Sequence, residues 1–400
     1  MLPGTFDFNP CSNDLFSLHH PASLQIPGGM PKERITLFQY TQFISNVASL
    51  FFSVTEIYDR AQKDQSFSIP VSRRMLYGRY SFFNTFLDDA VLPYYKGSTF
   101  RGVFGHALKS VTCALKRQEC SSCLLREKCV YAFVFEIRSN GESGSSDQAE
   151  TLAPERRRIA APPHPYVLEP PLDTRRSYLQ GESFDFSLIL FGQANDYLPY
   201  FVYALEEMGL LGIGRQSGNT RARFRLESVM ADATVLYNRR ERSLKSGNFA
   251  EDLVISDSTR SNELKPCESL ELTLLTPLRL KYENRLEATL PFHILIRAAL
   301  RRISSLFQYY GAGEPALDYR GLVERAQRVT VDQSSLHWFD WKRYSNRQDQ
   351  SMLMGGLMGS IRYSGPLAEF LPLLRICEKT HLGKQTSFGL GKIILTGAKP

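Results

Sequence analysis

Apolar residues recur along the N-terminal half of the chain with the periods of both strands and helices. Residues 75–86 and residues 184–192 (FDFSLILFG) have the composition and alternation of strands. Between them, after the potential cap Ser98, apolar residues recur at helical spacing and predict a helix. A second helix is expected at about 197–208. A glycine-rich loop and the strand 221–229 (RARFRLESV) follow it.

The C-terminal half repeats this order of elements. It begins with a strand at 269–280, and the next segment has the single apolar stripe of a long amphipathic helix. A further strand, a helix at about 367–378, a second glycine loop and a last strand follow. One strand is missing from the pattern in each half, and we expect these strands near residues 131–137 and near residues 337–345.

The order of elements in each half is β-α-β-β-α-β, which is the order of the ferredoxin-like, or RRM-like, unit. We therefore expect an α+β protein with two tandem ferredoxin-like domains, at residues 71–237 and 266–398. Residues 1–70 have weak structural signals and are interpreted as an N-terminal extension. Residues 238–265 are polar, without a clear period, and are interpreted as a linker.

Charge and cysteine content narrow the classes of function. The 400 residues include 48 Lys and Arg against 41 Asp and Glu, and the resulting net charge of +7 favours an anionic partner. No stretch is apolar enough to predict a membrane span, and no signal peptide is expected. Seven cysteines in such a chain argue against a disulfide framework and favour a reducing cytoplasm.

Two glycine loops with similar letters suggest phosphate binding. Residues 213–217 (IGRQS) and 382–386 (LGKQT) share the order apolar, Gly, base, Gln, hydroxyl. Glycines let backbone N–H groups approach a phosphate closely, and adjacent bases such as Arg215 hold its charge. The alternative is a tight helix-to-strand turn. The candidate contacts in the second loop are Gly383, Lys384, Thr386, Ser387, Gly389 and Gly391.

A row of arginines follows the first loop. Arg221, Arg223 and Arg225 alternate with apolar residues, so they would lie on one face of a strand. Three arginines with no acid between them fit a basic groove that follows an RNA backbone. An ordinary solvated strand face is the alternative.

Four cysteines are close together in the sequence and could bind a metal. Cys113, Cys120, Cys123 and Cys129 have the spacing C-x6-C-x2-C-x5-C. Four thiolates satisfy tetrahedral zinc, and an iron–sulfur cluster would use the same ligands. We expect a structural zinc if a metal binds. Ordinary packed or free thiols are the alternative.

Four segments resemble one known family. The segments are GSTFRGVFGHAL (97–108), residues 120–136, residues 290–310 and KTHLGKQTSFGLGKIIL (379–395). They resemble the CRISPR-associated endoribonucleases that process precursor RNA, the Cas-six family of the RAMP superfamily. The resemblance implies two ferredoxin-like domains that bind CRISPR repeat RNA. It also implies cleavage without a metal cofactor, by attack of a ribose 2′-hydroxyl on the adjacent phosphate.

Such chemistry needs a general base, a general acid and a cation near the phosphate. The resemblance implies a histidine in or near the first helix, and His106 is the first candidate. His381, at the start of the second glycine loop, is its rival. Arg101 and Tyr95, near the start of the first helix, are the candidate helpers. His164 lies in a proline-rich turn and is interpreted as a structural residue.

A second function shares the same fold and basic surface. A non-catalytic RAMP subunit would bind and position guide RNA within a CRISPR effector complex, together with other effector subunits. The candidate histidines favour the enzyme. A metal-dependent nuclease is disfavoured because the sequence has no pair of carboxylates in the order that two-metal sites need.

Overall fold

The computed structural model describes residues 72–116, 118–136, 162–217, 220–256, 267–280, 289–345 and 350–399. The N-terminal extension predicted at residues 1–70 lies outside these residues. The strands are β1 (Ser72–Phe86), β2 (Ala90–Val91), β3 (Tyr166–Glu169), β4 (Ser177–Tyr178), β5 (Ser183–Phe191), β6 (Ile213–Ser217), β7 (Thr220–Ala222), β8 (Phe224–Ala231), β9 (Thr234–Asn238), β10 (Ser243–Leu244), β11 (Glu251–Ser256), β12 (Ser269–Leu278), β13 (Thr330–Ser334), β14 (His337–Ser345), β15 (Gln350–Ser364) and β16 (Ile393–Lys399). The α-helices are α1 (Gly97–Thr112), α2 (Val130–Phe135), α3 (Leu198–Leu211), α4 (Phe292–Tyr310), α5 (Tyr319–Ala326) and α6 (Leu371–Thr380).

The first sheet is antiparallel, with the strand order β10-β9-β8-β1-β5-β3, and β11 also pairs with β1. In β1 the alternate side chains of Tyr80, Phe82 and Phe86 are buried on one face, as the pleat of a strand requires. The helices α1 and α3 pack against this face and share its core. Phe100 of α1 meets Phe186 of β5 edge to face, with 5.3 Å between the ring centroids.

The second sheet is also antiparallel, with the strand order β13-β15-β12-β16, and β14 pairs with β15. The apolar stripe of α4 is buried against it, as predicted. Phe292, in the first turn of α4, meets Tyr363 of β15 edge to face at 4.9 Å. The α+β class with antiparallel sheets is thereby confirmed, and so is the strand expected at residues 337–345.

One predicted strand is wrong. Residues 131–137 were expected to supply the missing strand of the N-terminal half, but residues 130–135 form the helix α2. The apolar run packs on α1, where the ring centroids of Phe135 and Phe104 are 5.8 Å apart. The prediction failed because a short apolar run does not by itself distinguish a helix from a strand. The missing strand is β3, which pairs with β5 through Leu168 and Leu188.

The segment interpreted as a linker also contains secondary structure. Residues 251–256 form β11, which pairs antiparallel with the first residues of β1, Met75 opposite Leu253. Leu253 and Ile255 are buried, while Val254 between them is exposed. The segment therefore extends the first sheet as an edge strand.

The two halves meet through a continuous core. Met75, Tyr77 and Phe191 of the first sheet share a buried cluster with the strands and helices of the C-terminal half. The hydroxyl of Tyr310, at the end of α4, donates to the carbonyl of Pro163, just before β3. All described residues belong to one compact unit, and β3 contacts the segment between α6 and β16 at this junction.

Candidate nucleic-acid interface between the first helix and the glycine loop

The second glycine loop, residues 381–392, packs against the N-terminal half. Gly389 has a φ of +82°, and a Cβ there would lie 2.6 Å from the carbonyl oxygen of Leu168 in β3. At Gly391 (φ +74°) a Cβ would overlap the carbonyl of Leu382. Only glycine fits these positions, because both the backbone angle and the space exclude a side chain. The glycines of this loop therefore serve close backbone packing.

The prediction that this loop is a phosphate cradle needs correction. The N–H groups of Lys384, Gly389 and Gly391 already donate to protein carbonyls at 3.0, 2.7 and 3.1 Å. Thr386 and Ser387 are buried with the two glycines against β3 and α1. Of the six predicted contacts, Lys384 is exposed and Gly383 is half-buried, whereas the other four face the protein interior. The unforeseen strand β3 occupies the place where a phosphate was expected.

Arg101, in the second turn of α1, links that helix to the glycine loop. Its Nε donates to Ser387 Oγ at 3.2 Å. Its guanidinium lies between two rings, 4.4 Å from the centroid of Phe388 and 5.1 Å from that of Phe135. These contacts hold the guanidinium in one plane at the junction of the two halves.

His164, which the sequence analysis treated as structural, is the fourth contact of Arg101. Its Nδ1 donates to the carbonyl of Val134 at 2.9 Å, so its Nε2 has a free lone pair. That lone pair accepts a hydrogen bond from Arg101 Nη2 at 3.2 Å. Burial and then the charge of Arg101 lower the pKa of His164 to about 4, so the ring is neutral at pH 7.

The direct partners of Arg101 are thus all uncharged. They are two aromatic rings, a hydroxyl and a neutral imidazole, and among the described residues no carboxylate forms an ion pair with this arginine. Beside it lies the buried and uncharged hydroxyl of Tyr166, which also interacts with Arg101. The guanidinium keeps its positive charge uncompensated and has further N–H groups beyond those in use. Such a group favours an anion such as phosphate.

Tyr95 holds the glycine loop from the other side. Its hydroxyl donates to the carbonyl of Phe388 at 2.6 Å. Burial, and then the charge of Glu169, raise the pKa of Tyr95 well above its usual value. The phenol therefore stays protonated and acts as an anchor for the loop, which does not fit the catalytic role considered for it.

His381 is buried and belongs to a cluster of charges between the two halves. Its Nδ1 faces the carbonyl of Leu390 at 3.0 Å, and its Nε2 faces Glu169 Oε1 at 2.9 Å. Lys392 Nζ lies 2.7 Å from the same carboxylate, and Arg79 Nη2 lies 2.9 Å from its other oxygen. His381 is fully buried, with both ring nitrogens engaged, so the structure assigns it to this cluster and not to an exposed acid or base.

His106 is exposed on α1, in the third turn of the helix. Gly102, one turn earlier, faces open space, because a Cβ there would meet nothing within 4 Å. Five positions separate His106 from Arg101, which is about 140° around the helix axis. The two residues therefore stand at opposite edges of the exposed face of α1, with Gly102 between them.

The arginine row alternates as predicted, but two of its members are paired with acids. Arg221, Arg223 and Arg225 face away from the core, as the alternation requires. Arg223 donates through Nε to Asp88 at 2.9 Å, and Arg225 to Glu227 at 2.7 Å. The strand is also interrupted at Arg223, between β7 and β8. No acid stands between the three arginines in the sequence, but the fold brings Asp88, 135 residues earlier, to Arg223.

The first glycine loop forms a hairpin. Residues 213–217 are the strand β6, which pairs with β7. A Cβ at Gly214, whose φ is +85°, would lie 2.5 Å from the carbonyl oxygen of Val91. The glycine therefore permits a close backbone approach, while Arg215 is exposed beside it.

The cysteines do not support the predicted zinc site. Cys113, Cys120, Cys123 and Cys129 are partly buried free thiols in the described part of the chain, and no group of three or more His, Cys, Asp and Glu side chains there has a metal-binding arrangement. Burial raises the pKa of the Cys120 thiol. Lys109 interacts electrostatically with Cys120 and Cys113. None of the described helices is long and apolar enough to cross a membrane.

Comparison with protein-family models identifies the family. Residues 272–393 match the model of the CRISPR-associated endoribonuclease Cas6, and residues 74–249 match a model described as an N-terminal domain. The match of residues 272–393 to the Cas6 model confirms the resemblance noted in the sequence. An uncharacterized protein of Archaeoglobus fulgidus is 28% identical over 309 residues, covering 75% of this chain and 91% of the relative.

Solved structures of Cas6 proteins are among the similar folds. Thermus thermophilus Cas6 has a TM-score of 0.43 and 13% identity, with 80% of this chain and 99% of that chain covered. A partial Cas6-RT-Cas1–Cas2 complex has a TM-score of 0.44 and 14% identity, with 81% of this chain covered. This chain spans 46% of the matched chain of that complex.

Proposed function

We propose that this protein is an endoribonuclease that binds CRISPR repeat RNA and cuts the precursor transcript into guide RNAs. The observation that carries the proposal is the Arg101 guanidinium, a cation whose direct partners are all neutral. An RNA backbone that crosses α1 would find positive charge that no carboxylate of the described residues neutralises. The match of residues 272–393 to the model of the CRISPR-associated endoribonuclease Cas6 supports the same function.

In the proposed reaction the ribose 2′-hydroxyl attacks the adjacent phosphate and the 5′-oxygen leaves. The products are a 2′,3′-cyclic phosphate and a 5′-hydroxyl. The attacking hydroxyl loses one proton and the leaving oxygen gains one, so protons balance without water and we propose no catalytic cofactor. Arg101 donates N–H groups to the phosphate oxygens, where negative charge grows in the transition state.

His106 is the proposed proton-transfer group. It is the exposed histidine of α1, and nothing in the described residues blocks access to it. Because His106 and Arg101 lie about 140° apart around the helix axis, the sugar and the phosphate would lie on the open surface at Gly102. Tyr95 and His381 contribute indirectly in this proposal, because they hold the glycine loop that supports Arg101.

RNA binding beyond the cut site would use the exposed cations. Lys384, Arg215 and Arg221 are exposed in the described residues, whereas Arg223 and Arg225 share their charge with acids. We assign the first three to phosphate contacts. Each contact would release counterions, so the affinity would depend on salt.

We propose that the protein has two ferredoxin-like domains, at residues 71–237 and 266–398. The observed strand orders β8-β1-β5-β3 and β16-β12-β15-β13 support it, because the helices α1 and α3, and α4 and α6, connect the strands in the expected sequence. We propose that the protein acts in the cytoplasm, and that other CRISPR effector subunits receive its product.

The test uses the CRISPR repeat RNA of the genome that encodes this chain. The parent protein should cut this RNA in excess EDTA and should fail on RNA with a single 2′-deoxy substitution at the cut. Arg101→Ala should cut at least about 100-fold more slowly. Arg101→Lys should remain impaired, because lysine lacks the planar fork that stacks between two rings. Arg320→Ala, which removes an exposed arginine of α5, is the control.

Four outcomes would count against the enzyme. Cleavage that requires added magnesium, or that survives the 2′-deoxy substitution, would contradict the reaction. An Arg101→Ala variant that cuts at the parent rate would contradict the role proposed for Arg101. A parent that binds the repeat tightly and never cuts it would favour the non-catalytic RAMP subunit.

A further inference from the structure

We propose that His164 is a positioning residue that fixes the Arg101 guanidinium against the glycine loop through the hydrogen bond from Nη2 to Nε2. This inference rests on the proposed function, in which Arg101 contacts the scissile phosphate. His164 lies outside the first helix and outside both glycine loops.

The hydrogen-bond partners of the His164 ring determine its tautomer. The carbonyl of Val134 can only accept, so Nδ1 carries the proton, and Nε2 is left as an acceptor facing Arg101. A guanidinium can only donate, so the pair is matched in this tautomer and in no other. The backbone of α2 thus determines, through His164, which way an arginine of α1 points.

The charges around the His164 ring keep it neutral. Arg101 faces it from α1, and the charge of Arg302 reaches it from α4. The neighbouring hydroxyls of Tyr166 and Tyr310 have raised pKa values because they are buried, so they remain neutral and provide no compensating negative charge. Every ionised group near His164 is therefore a cation, which keeps the ring uncharged at neutral pH.

Protonation of His164 would break its contact with Arg101. A proton on Nε2 would remove the lone pair that Arg101 Nη2 uses and would place two cations 3.2 Å apart. Arg101 would have to leave its position between Phe388 and Phe135. The contact therefore holds the guanidinium at neutral pH and releases it in acid.

The experiment compares two variants at His164. His164→Phe keeps a ring of similar size beside Phe135 but has no acceptor. His164→Gln keeps an amide oxygen that can accept from Arg101 and an N–H that can donate to Val134. We expect His164→Phe to cut repeat RNA at least about tenfold more slowly than the parent at pH 7, and His164→Gln to cut within about threefold of it. His337→Gln, at an exposed histidine of β14, is the control.

A double-mutant cycle separates positioning from general destabilisation. If His164 acts through Arg101, the variant with both Arg101→Ala and His164→Phe should be no slower than Arg101→Ala alone. Additive losses would overturn the proposal. So would a His164→Phe rate equal to that of the parent, or equal losses in His164→Phe and His164→Gln at unchanged melting temperatures.

A binding measurement keeps the inference testable if His164→Phe does not fold or if the parent does not cut. The dissociation constant of the 2′-deoxy repeat RNA is measured between pH 7 and pH 3.5 for the parent and for His164→Gln. The parent should lose affinity toward pH 3.5 more steeply than His164→Gln, by at least about threefold at the lowest pH, because most of His164 is protonated only below its pKa of about 4. Parallel curves would overturn the role of His164 without affecting the proposed nuclease. Absence of cleavage with diverging curves would instead count against the nuclease alone.

Discussion

The His381 ring and the Glu169 carboxylate form a buried hydrogen bond, 2.9 Å long, between residues 212 positions apart in the chain. The bond joins the start of the glycine loop to the end of β3. Burial acts to raise the pKa of Glu169, but the hydrogen bond and charge of His381, with the charges of Lys392 and Arg79, outweigh it and hold this pKa well below its usual range. The carboxylate is therefore ionised and holds three cationic groups of both halves together.

We expect Glu169→Gln to lower the free energy of unfolding by about 3 kcal/mol, because it removes the buried anion that Arg79, Lys392 and His381 share. The folded pKa is depressed, so this stabilisation is fully present above the ordinary value of 4.5 and is lost as the pH falls below it. Thermal unfolding of the parent should therefore lose stability below pH 4.5 more steeply than that of Glu169→Gln.

Glu324→Gln is the matched control for this prediction. Its ion pair with Arg320 on α5 is exposed, so the substitution should change stability by no more than about 0.5 kcal/mol. Equal effects of the two substitutions would show that the charge cluster does not hold the halves together.

The exposed His106 predicts a separation between binding and cleavage. His106→Ala should bind the repeat RNA with the parent's affinity but cut it at least about 100-fold more slowly, as expected for loss of a general acid or base. Single-turnover cleavage and filter binding on the same preparation measure both quantities.

His381→Ala provides the contrast, because the structure predicts lost stability for it and not a selective catalytic defect. A His381→Ala protein with normal melting and no cleavage would return this residue to the list of catalytic candidates. A His106→Ala protein with the parent rate would remove His106 from it.

The ion pairs of the arginine row predict unequal contributions to RNA binding. Lys384→Ala, Arg215→Ala and Arg221→Ala should each lower the log–log salt slope of affinity by about 0.7, as expected for one lost phosphate contact to single-stranded RNA. Arg223→Ala should lower it less, because Asp88 already shares its charge. Equal slopes for all four variants would contradict this division.

Two glycines allow a matched test of the glycine loop. Gly391→Ala should destabilise the protein by at least about 2 kcal/mol, because the new Cβ would overlap the carbonyl of Leu382 at a positive φ. Gly102→Ala should be neutral or stabilise the exposed face of α1 by up to about 1 kcal/mol, since it has open space and a helical backbone. Chemical denaturation measures both. A harmless Gly391→Ala would contradict the packing account of the loop.

Hydrophobic periodicity predicted the elements whose core faces are long. The helices α1 and α4 and the strands β5 and β12 begin and end near their expected bounds. It was wrong for α2, because six apolar and aromatic residues satisfy a buried helix as well as a strand. The true strand β3 has four residues and follows a proline-rich turn, so it has too few positions to show a period.

The candidate site was predictable only where it lies on one element. Arg101 and His106 were found because they lie on α1 itself. The pairing of Arg223 with Asp88 joins residues 135 positions apart, and no local pattern could announce it. His164 gave one weak signal, a histidine between two prolines directly before an apolar strand, but its partner Arg101 is 63 positions away.

The side chains that hold Arg101 come together only late in the synthesis of the protein. Arg101 leaves the ribosome 286 residues before Ser387, and the rings and hydroxyl that hold it come from separate parts of the chain. Domains generally fold as they emerge, so the first sheet and α1 assemble long before Ser387 and Phe388 exist. A nascent or truncated chain therefore has α1 without the supported arginine. Under the proposed function, cleavage would require both halves, so an unfinished chain would not cut cellular RNA.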